Sequence, residues 1–339
     1  MRSLGAGRAG VPDRRFGIAL LGCGGIASYY HLPVLTRLPS ARVVAVADPA
    51  RSARDRARSI DGALAVEADA GAVLDRADVD AVVICAENTQ HAPLALRALA
   101  AGKHVYLEKP LALTLEDGRA ILSQATAAGV LGVIGFNLRF HPLHQQAHSL
   151  LRQGVIGDVR AVRVLSQEPA RRRRMPEWKR RRSTGGGALL DLASHSVDLI
   201  RWHLGTEVVH AEATLGSRHT EHDVAGLRLL TESGVPADVH CRLGAAPADV
   251  FEVEGTLGAL RVDRCRGRLW VQEPRPLANP SRSVLARVRS RLWPRPEPSF
   301  EHALAAFLDR LGGARRELPT LADGLRSLEA LLAAERAAL

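Results

Sequence analysis

The first third of the chain alternates short apolar runs with stretches that have a helical pattern. The apolar runs cover residues 16–21, 42–47, 79–86, 104–107 and 130–136. Helical patterns extend to about residue 37 and cover residues 92–101 and 114–128, the last capped by Thr114. Strands that are apolar throughout are buried on both faces, as in a parallel sheet covered by helices. The pattern therefore predicts an α/β fold with a doubly wound parallel sheet.

The pattern changes after residue 136, where apolar and polar residues begin to alternate. Alternating segments lie at residues 159–166, 208–215, 226–231, 237–243 and 250–253. This period of two predicts an antiparallel meander with one face in water. Helices are predicted at residues 188–203, 300–311 and 321–339. We therefore divide the chain into a flexible tail at residues 1–15, a first domain at 16–136 and a second at 137–339.

Composition agrees with a globular protein and excludes several classes. Of the 339 residues, 46% are hydrophobic and 24% are charged, which is typical of a soluble protein of two domains. No apolar run is long enough for a transmembrane helix, and the N-terminal residues lack the apolar centre of a signal peptide. The four cysteines lie far apart without a CxxC pair. These features favour a reducing cytoplasm, and no membrane contact is predicted.

The formal net charge of +10 is concentrated in two segments. Residues 171–182 carry eight basic residues and one acid, and residues 261–296 carry ten arginines and two acids. Only three of the 46 basic residues are lysines, which weakens the arginine count as evidence for a partner. An ordinary solvated surface explains the charge, so nucleic-acid binding is not predicted. A basic rim for an anionic substrate stays open as an alternative.

A Pro/Arg-rich insertion is predicted at residues 273–298, which hold six of the 18 prolines. Within it, residues 283–293 have apolar positions at the spacing of a short basic amphipathic helix. A solvated loop explains the same composition equally well. Both interpretations of the insertion therefore remain open.

Two glycine patterns compete for the role of a phosphate-binding loop. Residues 5–10 match the GxGxxG pattern, but no strand precedes them and no helix follows. The residues Gly22, Gly24, Gly25, Ile26 and Ala27 follow an apolar strand and open a helix. In that position, backbone N–H groups and the helix dipole can hold a pyrophosphate. We therefore predict a dinucleotide-binding loop at residues 22–27.

An acid at the end of the second predicted strand indicates which dinucleotide binds. Asp48 lies 26 residues after Gly22, roughly where a ribose-binding carboxylate belongs in this fold. A carboxylate there accepts from the 2′-hydroxyl of NAD and repels the 2′-phosphate of NADP. Arg51 is close enough in sequence to leave NADP open. NAD is the predicted cofactor.

Lys109 follows a predicted parallel strand, at the edge of the sheet where ligands bind in such folds. In a chain that uses arginine almost everywhere else, a lysine here suggests that a guanidinium would not serve. An ammonium is a compact donor with a pKa that can be tuned, whereas a guanidinium stays charged. A salt-bridged surface lysine is the simpler alternative.

A second candidate cluster lies on the helix predicted at residues 188–203. At helical spacing, Asp191, His195, Asp198 and Trp202 share one stripe. An Asp four residues before a His can orient the imidazole and support its charged form. The alternative is a polar helix face in water. The sequence lacks the nucleophile elbow of a Ser-His-Asp hydrolase, and this His–carboxylate set lacks further ligands for a metal, so no metal is predicted.

Together these motifs resemble the Gfo/Idh/MocA family of oxidoreductases. The resemblance runs from about residue 16 to the C-terminus and is strong in four stretches, at residues 22–27, 100–113, 135–140 and 185–199. It implies an N-terminal Rossmann domain followed by an α/β domain with a large open, mostly antiparallel sheet. That sheet is often used for oligomerisation, so a homodimer or homotetramer is expected.

The resemblance also implies roles for individual residues. Lys109, Asp191 and His195 are implied as the catalytic group, and Lys109 as a neighbour of the cofactor. Asn88 and His91 are implied to border the nicotinamide, with Glu108 beside the cofactor. The substrate is implied to meet Asn137, Arg139, Trp178 and His195. One departure is that Ala86-Glu87-Asn88 replaces the family's usual Thr-Pro-Asn, which puts the detailed cofactor contacts in question.

The sequence thus predicts an NAD-dependent oxidoreductase acting on a secondary alcohol or ketone of a sugar, cyclitol or sugar derivative. In the oxidation direction His195, oriented by Asp191, would take the hydroxyl proton, and Lys109 would stabilise the charge on the same oxygen. The basic residues around Trp178 suggest a phosphorylated or nucleotide-linked sugar. Two other classes stay open: a non-catalytic dinucleotide-binding regulator, and a glycosidase that uses NAD transiently.

Overall fold

A computed structural model describes residues 14–169, 176–272 and 297–338. The glycine pattern at residues 5–10 and the helix predicted at 283–293 lie outside these ranges. So do residues 171–175 of the first basic segment. The glycine loop at residues 22–27 and every residue predicted for the active site are described.

The N-terminal half forms the predicted parallel sheet. Its strands are β1 (Phe16–Leu21), β2 (Ala41–Ala47), β3 (Ala65–Glu67), β4 (Ala81–Ile84), β5 (His104–Leu107) and β6 (Gly132–Ile134). They lie in the order β3-β2-β1-β4-β5-β6 and pair in parallel throughout. This doubly wound order places a crevice at the carboxyl ends of β1 and β4, where the order reverses. The short strand β3 carries too weak a pattern to be recognised in the sequence.

Helices cover this sheet on both faces. They are α1 (Leu32–Leu35), α2 (Arg51–Ile60), α3 (Ala70–Leu74), α4 (Asn88–Ala100) and α5 (Leu115–Ala128). The Thr114 side chain accepts from the backbone N–H of Asp117, which confirms the predicted cap of α5. Sequence analysis missed α2 and α3, and α4 begins four residues before the predicted helix at 92–101.

The second sheet is larger than its sequence pattern predicted. After α6 (Pro142–Arg152), its strands are β7 (Val159–Glu168), β8 (Val208–Gly216), β9 (Val224–Thr231), β10 (Pro236–Leu243), β11 (Ala248–Gly255), β12 (Ala259–Asp263) and β13 (Arg268–Gln272). Their order is β13-β12-β11-β7-β10-β9-β8. The pairing of β7 with β10 is parallel and the others are antiparallel. The strands are therefore not a simple meander, because β7 enters the centre of the sheet.

The helix predicted at residues 188–203 is interrupted. It consists of α7 (Ala188–Asp191) and α8 (Ala193–Leu204), with Leu192 between them. Asp198 is 1% exposed, so the alternative of a polar helix face in water is wrong for this part of α8. The helix is buried because it packs between the second sheet and the C-terminal helix.

Two C-terminal helices hold the two sheets together. The first, α9 (Pro298–Leu311), packs Phe307 against Tyr106 of β5 and shares a buried cluster with β1, so it covers the first sheet although it follows the second in sequence. The second, α10 (Leu321–Ala337), contacts α5, α8 and β8. It begins with a capping box formed by Thr320 and Asp323. No helix in the described ranges is long and apolar enough to cross a membrane.

Buried histidines form an unusual part of the second core. His144 and His203 are 0% and 5% exposed, and the Nδ1 atom of His144 lies 3.1 Å from Nε2 of His203. A hydrogen bond between two imidazole nitrogens needs one donor and one acceptor, so one of these nitrogens must be unprotonated. Burial holds the pKa of both histidines well below the usual range.

We expect this pair to make the protein sensitive to acid. Below a pH of about 6.5 these histidines bind protons in the unfolded chain, whereas the buried rings of the folded protein stay neutral. The free energy of unfolding therefore falls by up to roughly 1.4 kcal/mol per pH unit for each histidine. Urea unfolding measured between pH 5.5 and 8 should show this slope, and His203→Asn should reduce it. His210→Asn, at an exposed histidine, is the control. An unchanged slope in His203→Asn would contradict the assignment.

Candidate active site

The glycine loop joins β1 to a helical turn, as predicted. Gly22 has φ +92°, and a Cβ there would lie 2.6 Å from the backbone nitrogen of Ala86. Only glycine therefore lets β1 end so close to β4. A Cβ at Gly24 would meet no atom within 4 Å, so the loop presents open space on that side.

The turn after the loop begins at Gly25 and Ile26 and continues as a π-helical turn over Ala27–His31 before α1. Ala27 is 1% exposed and belongs to the same buried cluster as Ile18 and Leu20 of β1. The small side chain thus allows close packing of the turn on the strand, as the sequence predicted. The loop and the start of this turn fit a pyrophosphate, because Gly24 offers a cradle that a side chain would fill.

Asp48 lies beside this loop at the end of β2. Its Oδ2 atom accepts from the backbone N–H of Cys23 at 2.7 Å, and its Oδ1 atom accepts from Ala50 at 2.8 Å. A carboxylate has about four acceptor positions, so it retains capacity for ribose hydroxyls. The side chain of Arg51 is 87% exposed and pairs with Asp55 at 3.8 Å. The structure therefore brings Asp48 to the loop and turns Arg51 away from it.

Glu108 makes a buried polar contact at the carboxyl end of β5. Its Oε1 atom lies 2.7 Å from Nε2 of His31, and both side chains are almost fully buried. Its Oε2 atom accepts from the backbone N–H of Lys109 at 3.3 Å. A Cβ on Gly135 would come within 3.1 Å of the same carboxylate. These contacts fix the direction in which the chain leaves β5 and thus the position of Lys109.

Lys109 binds Asp191 across the two halves of the molecule. Its Nζ atom donates to Oδ1 of Asp191 at 2.8 Å and to the backbone oxygen of Asp191 at 2.7 Å. The Oδ2 atom of Asp191 accepts from Nζ of Lys179 at 2.9 Å. Burial opposes ionisation of Asp191, but the two ammonium groups hold its pKa well below the usual range. Asp191 is therefore an anion shared by two lysines.

Close packing of Gly186 makes this arrangement possible. Lys179 lies in a 3₁₀ turn over Glu177–Arg180, and a Cβ on Gly186 would stand 2.3 Å from its backbone oxygen. Without a side chain at Gly186, the turn lies directly against the start of α7, so Lys179 can reach Asp191 at the end of that helix. The three consecutive glycines at residues 185–187 are thus part of the site.

His195 lies near Lys109 but is not held by Asp191. Among the described residues, its buried Nδ1 atom has no hydrogen-bond partner. Burial and the positive charges of Lys109 and Arg264 hold the pKa of His195 well below its usual range. No hydrogen bond joins Asp191 to His195 in the described ranges, because Lys109 and Lys179 occupy the two oxygens of the Asp191 carboxylate. The negative charge of Asp191 does favour the charged form of His195, as predicted, but burial and the two positive neighbours outweigh it.

Asn88 and His91 lie at the start of α4, at the carboxyl end of β4. The Asn88 amide donates to the backbone oxygen of Gly185 at 2.8 Å. The His91 Nδ1 and Nε2 atoms lie 2.7 Å and 3.2 Å from the oxygens of Pro110 and Ala86. Both side chains thus brace the backbone around the site.

Two of the residues expected near the substrate are engaged in buried contacts instead. The Arg139 guanidinium binds both oxygens of Asp198, at 2.9 Å and 2.5 Å, and also pairs with Asp323 at 3.1 Å. The Asn137 amide donates to the hydroxyl of Ser299 at 2.8 Å. Each side chain is buried and bonded to neighbouring elements, so both residues support the site, and their approach to a substrate stays a prediction.

Trp178 does lie beside the lysine cluster. Its side chain is half-buried, and the Nζ atom of Lys179 is 5.5 Å from the centre of its ring. Two neighbouring arginines are paired with carboxylates: Arg181 with Glu177 at 3.4 Å, and Arg182 with Glu335. The described part of this basic segment is therefore partly neutralised.

Comparison with known proteins gives the family. An oxidoreductase family with an NAD-binding Rossmann fold matches residues 16–136, and the GFO/IDH/MocA C-terminal domain matches residues 144–261. The chain belongs to the Gfo/Idh/MocA family. The expected fold is confirmed in both halves, and the prediction of an oxidoreductase with an NAD-binding Rossmann domain is confirmed as well.

Individual Gfo/Idh/MocA proteins show a clear similarity. The dTDP-3,4-didehydro-2,6-dideoxy-alpha-D-glucose 3-reductase of Streptomyces antibioticus is 33% identical, over 75% of this chain and 77% of that protein. The inositol 2-dehydrogenase of Rhizobium meliloti (strain 1021) is 34% identical, over 74% and 76%. The crystal structure of GenD2 from gentamicin A biosynthesis, in complex with NAD, has a TM-score of 0.81 at 26% identity, over 98% of this chain and 96% of GenD2.

The sequence analysis missed Lys179 and His31 in this Gfo/Idh/MocA site. A signal for Lys179 was present, because the argument from lysine rarity applied to Lys109 holds equally for it. Lys179 was counted instead as one charge in a basic run. His31 carries no local signal, because only the fold brings it to Glu108.

Because the space at Gly24 is open, a substitution there can test the role of the loop in NADH binding without affecting folding. Gly24→Ala should leave the thermal midpoint unchanged, since the new Cβ meets no protein atom. It should weaken NADH binding at least about tenfold, because the methyl group fills the cradle predicted for the pyrophosphate. Fluorescence titration with NADH measures the change. Gly216→Ala, whose Cβ would make only a 3.6 Å contact in the second sheet, is the control. Equal NADH affinity in both variants would remove the loop from the cofactor site.

Proposed function

We propose that this protein transfers a hydride between NAD and a secondary alcohol or ketone of a sugar, cyclitol or sugar derivative. The observation that carries the proposal is the Lys109 ammonium, anchored by Asp191 at the carboxyl end of β5. This is the edge of the sheet where a Rossmann domain presents its cofactor. The similarity to a keto-sugar reductase and to an inositol dehydrogenase supports the same substrate class.

The nicotinamide, when bound, supplies the hydride acceptor or donor, and the protein supplies the proton chemistry. Lys109 has three N–H groups, and two of them donate to Asp191. We assign the third to the reacting oxygen of the substrate, where it stabilises developing negative charge. The Lys109 side chain is 15% exposed, which is enough for such a contact from a cleft.

We assign His195 as the base that takes the hydroxyl proton in the oxidation direction. Its low pKa keeps the ring neutral at neutral pH, so a ring nitrogen can accept a proton. Since Asp191 does not hold the ring, we place Asp191 in a different role from the one that spacing suggested. It anchors Lys109, while His195 acts without a carboxylate partner.

A substrate with an anionic portion is a further element of the proposal. The ammonium groups of Lys109 and Lys179 share the single carboxylate of Asp191, and Trp178 stands beside them. Burial raises the pKa of the nearby Glu168 carboxyl and so opposes its ionisation, which preserves a positive surplus. A nucleotide-linked or phosphorylated sugar fits this surplus, and a dTDP-linked sugar occurs in the name of one relative. Comparison of kcat/KM for matched neutral and nucleotide-linked sugars tests the idea, and equal values would contradict it.

Substitutions of the two proton-handling residues test the reaction. Lys109→Met and His195→Gln should each lower kcat by roughly 10²–10⁴ while NADH still binds, because each removes proton transfer or charge stabilisation. Initial rates on a panel of sugars and cyclitols, with NADH titration, measure both effects. His210→Asn is the control. Near-normal turnover in both variants would reject the residue roles.

The two alternative classes appear as distinct outcomes of the same experiment. NADH binding without turnover of any substrate would favour a regulator. Cleavage of a chromogenic glycoside without accumulation of NADH would favour the glycosidase.

We also propose that the outward face of the second sheet binds a second copy of the chain. Leu230 on β9 and Trp270 on β13 are 40% and 36% exposed on this broad sheet. Glu252 lies between Arg163 at 3.6 Å and Arg261 at 3.2 Å, so charges of both signs are interspersed on the face. A face of this kind suits a self-complementary interface.

Sedimentation equilibrium should show a dimer or tetramer for the parent protein. The double variant Leu230→Asp/Trp270→Asp should shift it toward the monomer, because each substitution places an unpaired charge in the interface. Leu257→Asp, at an exposed leucine in the turn between β11 and β12, is the control. A monomeric parent protein would reject this proposal.

A further inference from the structure

The proposed reaction uses Lys109 but gives no role to Lys179. Lys103 donates to the backbone oxygens of Arg76 and Val79 and is structural. Lys179 instead joins the candidate active site, where its ammonium lies 2.9 Å from Oδ2 of Asp191. Its side chain is 33% exposed, compared with 15% for Lys109.

The two lysines divide the carboxylate of Asp191 between them. Oδ1 accepts from Lys109 and Oδ2 accepts from Lys179. If Lys179 were absent, Asp191 would pair with Lys109 alone and would stabilise its charged form more fully. A second ammonium on the same carboxylate weakens that stabilisation, both by competing for Asp191 and by direct repulsion.

We propose that Lys179 is a positioning residue of the reaction, which takes the second oxygen of Asp191 and so leaves Lys109 readier to share its remaining proton with the substrate oxygen. The functional part of this inference rests on the proposed function, because it presupposes that Lys109 meets the reacting oxygen. The electrostatic part concerns the described residues alone and can be tested without a substrate.

Other charged groups face the same cluster, and they are unchanged between the parent protein and the Lys179 variant. Glu168 interacts electrostatically with Asp191 and with both lysines. His195 interacts with Lys109, Arg264 and Asp191. The attraction of Asp191 is the main cause that raises the pKa of Lys179, so Lys179 stays charged across the neutral range. Lys179 thus acts as a fixed positive charge.

The scarcity of lysine makes a direct measurement practicable. Labelling with [ε-¹³C]lysine gives three NMR signals, and the signal of Lys109 is assigned by its loss in Lys109→Met. In Lys179→Met, the chemical shift of the Lys109 signal at neutral pH should differ from that in the parent protein, because the carboxylate that holds Lys109 has lost its second ammonium group. Arg181→Met removes a nearby positive charge that pairs with Glu177, and should leave the Lys109 signal unchanged. A Lys109 shift that is the same in the parent protein and in Lys179→Met would overturn the proposal.

Kinetics then separate a positioning role from a merely structural one. With a neutral sugar or cyclitol as substrate, Lys179→Met should lower kcat about tenfold with little change in KM, since Lys179 acts through Asp191 and Lys109. Lys179→Arg restores the charge and should recover most of the lost rate. Equal rates in Lys179→Met and the parent would overturn the functional part, as would a Lys179→Arg variant that is folded but no faster than Lys179→Met.

The two levels of failure are distinguishable. If the parent protein turns over no sugar or cyclitol, the proposed function fails, while the NMR comparison still decides whether Lys179 acts on Lys109. If the parent is active and the Lys109 signal does not move, only the role of Lys179 fails. Thermal midpoints of all variants show whether a lost rate reflects lost folding.

Discussion

The ionised carboxylate of Asp191, bound by Lys109 and Lys179, is the interaction on which the rest of the site depends. Lys109 follows a strand of the parallel sheet, whereas Asp191 and Lys179 belong to the second half of the chain. Removing Asp191 would leave two ammonium groups without their shared carboxylate in a partly buried place, whereas removing either lysine leaves one ion pair. The contact therefore links the position of the second domain to the chemistry at the edge of the first.

Other polar groups around the site satisfy each other in a similar way. Arg139 is neutralised by Asp198 and Asp323, and Glu108 is held by its contact with His31. Because these groups are engaged, they hold the backbone rather than face the cleft. In the reaction we propose, the groups left to act on a substrate are therefore few, chiefly the third N–H of Lys109 and the neutral ring of His195.

Much of the fold was predictable from the sequence, and part of the site. Strands β1 and β5 match their predicted bounds, because apolar runs and flanking turns are local signals. The glycine loop and Asp48 were found for the same reason. A hydrogen bond between Asp191 and His195 was inferred from helical spacing and is not present in the described ranges, because Lys109 and Lys179 occupy the Asp191 carboxylate. No local pattern predicts that both lysines reach this carboxylate.

The sequence by itself determined the class of the protein: a dinucleotide loop after a buried strand, an acid at the end of the next, and a lysine at the edge of a parallel sheet. These depend on short-range order, which hydrophobic period and glycine placement encode directly. Only the tertiary structure decided which charged side chains bind each other. The three charged groups of Lys109, Lys179 and Asp191 meet because two domains pack together and because Gly186 allows a close approach. The contact between Lys109 and Asp191, which are distant in sequence, follows from that packing rather than from spacing along the chain.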